Sequence, residues 1–261
     1  MGLKRRTRII ALVLFAAAII TVLIPSFMKT ANKIYVKGIV GDFDEVVEHV
    51  QPDMSYEEAK EEGLVDDEGY LVDKDTGQRE SEKPVIWQYD VDRLYKDSLA
   101  YNNALVNNGQ NLSEHTFQTP ALDLEDYGIF SGVYAYISIP DADVDIPVYL
   151  GATNYNMSIG ATHLGGTSLP IGGEMANCVI AGHNGYTGRT YFDYISYLDV
   201  GSSVFIKNYF YTLEYEVIDV RKIDPYDTNG VYLYPQRDIL TLLTCAEMGR
   251  ERWQVTCERK S

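Results

Sequence analysis

Cys245 ends the apolar run Ile239-Leu-Thr-Leu-Leu-Thr244 and is followed by the loop-like Ala-Glu-Met-Gly249. A thiol where a strand meets a loop is accessible, and a nucleophile needs access. Buried, the same side chain would be only a small hydrophobe. The chain has four histidines to serve as a base: His49, His115, His163 and His183. His49 lies in an acidic stretch and His115 in a polar one, whereas His163 and His183 lie among glycines. His183, in Ala181-Gly-His-Asn-Gly185, directly follows the apolar run Cys178-Val-Ile-Ala181. An imidazole there can take a thiol proton and later return one to a leaving amine. Acyl transfer also needs a positive group for the oxyanion. Arg250 reads as a loop charge, while Arg252 opens the last strand and can face back toward Cys245. Together these residues read as a Cys–His–Arg acyl-transfer site. For each member taken singly, a structural or surface role stays open.

The elements that must position them are short strands. Runs 133–139, 144–150, 178–181, 203–207, 212–220, 239–244 and 253–257 are apolar or alternating and are separated by turn residues. That pattern predicts an all-β barrel or sandwich. The runs 203–207 and 212–220 read as a hairpin, and 150–173 reads as a Gly-rich connection. Upstream, Val91, Leu94, Tyr95, Leu99 and Leu105 have helical spacing over 91–106. Asn107 to Gln118 then reads as loop.

The N-terminus sets the compartment. Lys4, Arg5, Arg6 and Arg8 precede an apolar run over 9–28 that is broken late by Pro25. About 20 residues match the thickness of a bilayer core. Basic residues ahead of the run predict a cytoplasmic 1–8 and an exported remainder. The expectation is an uncleaved single span, with a cleaved leader as the alternative. From Asp42 to Lys83 there are 16 acidic and four basic residues, which carry most of the net charge of −16. Such acidity speaks against a nucleic-acid partner. Ser55 and Glu58 have capping-box spacing, and 67–77 reads as a strand between turns. Asp73 and Asp75 do not complete a calcium-loop pattern, so no metal is expected. Three cysteines are too few for a disulfide scaffold. Cys178 and Cys257 are read as two buried free thiols, with a disulfide as the alternative.

Thr241-Leu-Leu-Thr-Cys245 resembles the strand-end Thr-Leu-x-Thr-Cys motif of sortases, and 181–185 resembles the family's histidine loop, about 60 residues upstream. Arg252 stands where the family places its arginine, at a slightly short gap. Gly160-Ala-Thr-His-Leu-Gly-Gly-Thr-Ser-Leu-Pro170 is similar to a segment of class C, or pilin-type, sortases, as are Tyr136–Pro140 and Val144–Tyr149. The resemblance runs from about Val91 to Lys260.

It implies a mainly β, eight-stranded sortase barrel over 132–261, with short helices. Ahead of it would come a helix and lid-like loop (91–131), an acidic extracytoplasmic segment (29–90) and one transmembrane helix. It implies a transpeptidase that cleaves a Leu-Pro-x-Thr-Gly-like sorting signal through a thioacyl intermediate on Cys245. His183 would be the acid/base, Arg252 the oxyanion and substrate-positioning group, and Thr244 and His163 substrate contacts. Glu114, His115 and Phe117 would be lid residues, although the segment lacks the Asp-Pro pair usual in class C lids, and Asn184 follows the histidine where an arginine is common. No cofactor is implied. The implied partners are sorting-signal-bearing surface or pilin proteins, an amine acceptor (a pilin lysine or a peptidoglycan precursor) and the cell membrane. Two alternatives remain: a Cys–His hydrolase on the same fold, and a non-catalytic anchored scaffold.

Overall fold

The computed structural model describes residues 2–49, 56–66, 70–80, 89–186 and 188–260. The β-branched and aromatic runs form β1 (Val133–Ile139), β2 (Val144–Leu150), β3 (Ala161–His163), β4 (Ala176–Ala181), β5 (Ser203–Asn208), β6 (Thr212–Ile223), β7 (Asp238–Ala246) and β8 (Glu251–Arg259). They close into one barrel in the order β1-β2-β3-β4-β7-β8-β6-β5. The pairs β2–β3 and β4–β7 are parallel, and the others are antiparallel. Closure leaves no free sheet edge and encloses Ile137, Val148, Ile180, Ile206, Val217, Leu242 and Val255, all with no exposed surface. The Gly-rich stretch holds more order than its composition suggests. Helix α5 (Asn154–Ile159) and β3 both lie within it.

Helix α3 (Val91–Asn108) starts where Asp90 accepts a hydrogen bond from the Arg93 amide. Its buried stripe is Val91, Leu94 and Ser98, and Leu99 stays exposed. The polar Ser98 is buried because its hydroxyl bonds both Leu94 O (2.7 Å) and the hydroxyl of the buried Tyr134 (2.8 Å). The expected loop over 107–118 ends in a short helix, α4 (Glu114–Gln118), capped by Ser113.

The N-terminal helix differs most from expectation. Helix α1 (Gly2–His49) runs through Pro25 and past Met28 into the segment read as separate. Val36, Val40 and Phe43 recur every three to four residues, and this stripe is buried on the barrel. Phe43 packs against Tyr209 and Tyr136 at centroid distances of 4.7 and 5.7 Å. Lys33–Asp143 (2.8 Å) and Lys207–Asp44 (2.7 Å) flank the contact. The part before it is long and apolar enough to cross a membrane.

In the acidic segment, 67–77 forms no strand among its described residues, only the isolated bridges Val65↔Leu71 and Val72↔Arg79. Asp73 is committed to its own turn, accepting from the amides of Asp75 and Thr76 and from the Thr76 hydroxyl. Ser55 of the expected capping box lies outside the described residues.

Cys178 and Cys257 are both buried and free. Each pairs with Leu240, from opposite sides. Two strand spacings separate them by roughly 9–10 Å, too far for a disulfide. Burial raises both thiol pKa values and keeps them protonated.

Candidate active site

Strand order builds the site. The parallel neighbours β4 and β7 pair Ala181 with Leu243. Two residues further on, His183 lies just past the end of β4 and Cys245 one residue before the end of β7, at the same rim. The junction is locked by Gly182 N to Leu243 O (3.1 Å), Thr244 Oγ1 to Gly182 O (2.7 Å) and Asn184 Nδ2 to Cys245 O (2.9 Å). On the other side of β7, the antiparallel β8 sets Arg252 directly opposite Cys245. The tight turn Glu247–Gly249 produces this register, so the short Cys-to-Arg spacing is what the hairpin requires. Gly249 O in the turn and Glu251 O at the start of β8 accept from Arg252 Nη1 (3.0 and 3.1 Å) and hold the guanidinium. Glu247, at φ 47°, is fixed by Lys222 at 2.8 Å.

His183, Thr244, Cys245 and Arg252 line one cleft of about 380 Å³. Its floor is apolar: Leu164 and Val231 line it with Phe117, Ala152, Ala181 and Leu243, and the fully buried Val179 packs beneath them. Cys245 is partly exposed, as attack on an incoming group demands. The His183 ring stacks on Tyr186, with centroids 4.8 Å apart and planes 20° apart, and Tyr191 lies at 6.4 Å. Partial burial lowers the His183 pKa from its ordinary value, because losing water penalises the imidazolium. The loop is pinned by Asp193, which accepts from the amides of Gly185 and Tyr191. Gly182 is obligatory, since a Cβ there would lie 2.7 Å from the Phe192 ring.

The Sortase domain family model matches residues 137–260. Sortase C-1 from Streptococcus pneumoniae is 31% identical, with a TM-score of 0.59 over 66% of this chain and 90% of that one. The chain belongs to the sortase family. Sortase C-1 from Actinomyces oris is 30% identical, with a TM-score of 0.57 over 66% and 99%. The pilus-related sortase C of Group B Streptococcus is 27% identical, with a TM-score of 0.57 over 66% and 89%. A curated relative, sortase A of Streptococcus agalactiae serotype III (strain NEM316), is 26% identical over 115 residues. That match covers 42% of this chain and only 46% of the relative.

The sortase barrel brings together His183, Cys245, Arg252 and Thr244, and it also brings Glu114 and Phe117 to the cleft. His115 does not join them; its ring is exposed and bonds Thr119 Oγ1 at 3.2 Å. The α4 segment is stitched to the barrel. Phe117 O accepts from the amides of Ala152 (2.8 Å) and Gly165 (3.2 Å), and Gln110 bonds Gly166 O, Val231 O and the Leu233 amide. In this structure the lid-like segment is a wall of the cleft. Tyr186, Asp193 and Val231 carry no distinguishing sequence signal, since each matters only through the fold.

His163 is corrected by the structure. It has no exposed surface and does not reach the cleft. Its Nε2–H donates to Thr167 O (3.1 Å) and Ser168 O (3.0 Å), while Nδ1 has no partner among the described residues. Burial is the main cause that pushes its pKa down to about 4. The unfolded chain therefore binds a proton below pH 6.5 that the folded chain refuses down to about pH 4. Stability falls as pH drops through that window and levels off beneath it. Between pH 6.5 and 5 this single group costs about 2 kcal/mol. Urea unfolding at pH 7.5 and 5.0 checks it: the parent should lose about that much more than His163→Gln, and equal losses would remove His163 from the account.

Proposed function

We propose that this chain is a membrane-anchored cysteine transpeptidase acting on sorting signals of the Leu-Pro-x-Thr-Gly kind. One observation carries the reading: His183, two residues past the end of β4, meets Cys245 and Arg252, paired across β7 and β8, at the rim of one apolar-floored cleft. Cys245 Sγ attacks the Thr–Gly carbonyl carbon, and His183 takes the thiol proton. Arg252, steadied by the turn carbonyls, faces the oxyanion. When the C–N bond breaks, His183 gives that proton to the departing glycine amine, and a thioester remains on Cys245. An incoming amine attacks the thioester and yields a proton to His183. A new amide forms, the C–S bond breaks, and the thiol is restored. The floor of Leu164, Val231 and Phe117 suits the Leu-Pro side chains. Relatives described as pilus-related favour a protein lysine as the acceptor, with a peptidoglycan precursor amine as the other candidate. The basic residues ahead of the apolar run favour an extracytoplasmic barrel.

The test uses the full chain in nanodiscs with a fluorescent Leu-Pro-x-Thr-Gly peptide library, with and without lysine amines. Cleavage, a thioacyl mass on Cys245 and an amine-dependent product are the expected result. Cleavage at equal rate without any amine-linked product would instead make it a hydrolase. No cleavage by a folded chain with an unreactive Cys245 would leave an anchored scaffold. In the same assay Arg252→Ala should lower kcat/KM by about 10²–10³-fold. Arg252→Lys should recover only part of this, because lysine lacks the planar fork.

A further inference from the structure

The segment after the histidine loop is tied at both ends to the place where α1 leaves the barrel. At one end Gly188 packs on Met28; a Cβ on Gly188 would lie 2.8 Å from Met28 Cε and 2.9 Å from its Cβ. Thr190 lines a crevice of about 290 Å³ together with Lys29 and Lys33. At the other end Ser202 Oγ donates to Asp141 Oδ2 at 2.6 Å. Asp141 lies in the Pro140–Ala142 turn, next to Asp143, whose carboxylate is gripped by Lys33. Met28 is the last residue of the apolar run, and Lys29 follows it. At 1.5 Å per residue, 9–28 spans about 30 Å, one bilayer core. Segment 188–202 therefore lies beside the point where α1 emerges from lipid.

Between the two ties is the 3₁₀ turn Ile195–Tyr197. Residues three apart line up on such a turn. Ile195 and Leu198 point inward, whereas Tyr194, Tyr197 and Val200 are 48%, 80% and 69% exposed. Tyrosine suits a bilayer interface, with an apolar ring in the acyl boundary and a hydroxyl in water. We propose that Tyr194, Tyr197 and Val200 form a membrane seat, resting in the headgroup region of the outer leaflet beside α1. In the segments around the seat, Lys29, Lys33, Lys37 and Arg189 are offset by Asp141, Asp143, Asp145, Asp193 and Asp199, so there is no basic excess. Apolar insertion holds the seat, and anionic lipid is not required. Resting on the reading of α1 as a membrane span, the seat fixes the stance of the barrel, and with it the height of the histidine loop above the bilayer.

The test reconstitutes the full chain in phosphatidylcholine vesicles with or without bromine on the upper acyl carbons. Tyr197→Trp and Val200→Trp probe the seat. Tyr226→Trp, in the β6–β7 loop, is the water-exposed control, and Leu23→Trp is the span control. The parent signal from Trp87 and Trp253 is subtracted. Bromine should lower the added emission of both seat probes about two-fold or more, as expected for side chains at interfacial depth, and leave Tyr226→Trp unchanged. Adding phosphatidylglycerol should not alter this. Seat probes that match Tyr226→Trp while Leu23→Trp is quenched would overturn the seat alone and leave the face to a protein partner. Quenching only in anionic vesicles would overturn the apolar basis. An unquenched Leu23→Trp would show that the span reading fails, and the seat with it.

Discussion

Cys245→Ala should abolish both cleavage and amine transfer, by about 10⁴-fold or more in kcat/KM, because in the proposed route every bond made or broken passes through Sγ. The loss is chemical. Cys245 is partly exposed at the end of β7, and its strand pairing with Arg252 uses only backbone. Alanine keeps that pairing and opens no enclosed cavity, so the melting temperature should move by only a few degrees, as for other partly exposed sites. Peptide binding, measured by fluorescence anisotropy, should also survive, since the apolar floor is untouched. An active Cys245→Ala enzyme would remove the thioacyl route altogether. A variant that lost binding and activity together would place Cys245 in the structure of the cleft and not in its chemistry.

His183→Ala is expected to lower kcat/KM by about 10²–10⁴-fold, the usual contribution of a positioned acid/base. The pH profile carries the sharper information. Burial against Tyr186 and Tyr191 favours the neutral ring, so the His183 pKa lies below 6.5. As pH falls, the parent should hold its kcat/KM past 6.5 and decline only below it, when His183 takes up a proton and ceases to be a base. Tyr186→Ala returns one face of the ring to water, and the acid limb should then move up toward 6.5 with little loss at pH 8. A limb that stays put would show that another group controls it.

The barrel was legible because strand residues alternate or run apolar between turns, and seven of its eight strands show this in their own composition. The exception, β3, is three residues among glycines, and only its neighbours β2 and β4 make it a strand. Cys245, His183 and Arg252 stood out because each lies where an apolar run begins or ends. The facing of Arg252 and Cys245 across the last two strands was legible too, but the adjacency of His183 was not, since it depends on β4 and β7 being parallel neighbours although about 60 residues separate them. His163 was misread for the same reason: a histidine among glycines looks like a loop residue, and its burial comes from β2, β4 and the folded-back turn at 167–168. The continuation of α1 was hidden by its charges. Val36, Val40 and Phe43 form a stripe only once the acidic and basic residues between them are seen to face outward.

The β4–β7 pairing has a consequence for biogenesis. β4, which leads to His183, and β7–β8, which carry Cys245 and Arg252, meet only by closing a loop of about 60 residues, a slow step with an unfavourable chain entropy. The β7–β8 hairpin also fills the gap between β4 and β6, so it is the piece that completes the ring of strands. Shutting the barrel and assembling the reactive trio are therefore a single event. On the proposed topology residues 1–8 stay behind and the chain after α1 is delivered in sequence order, so His183 would emerge while Cys245 still trails. The thiol would then gain its proposed partners only when the last strand docks, and an unfinished molecule would have no complete site.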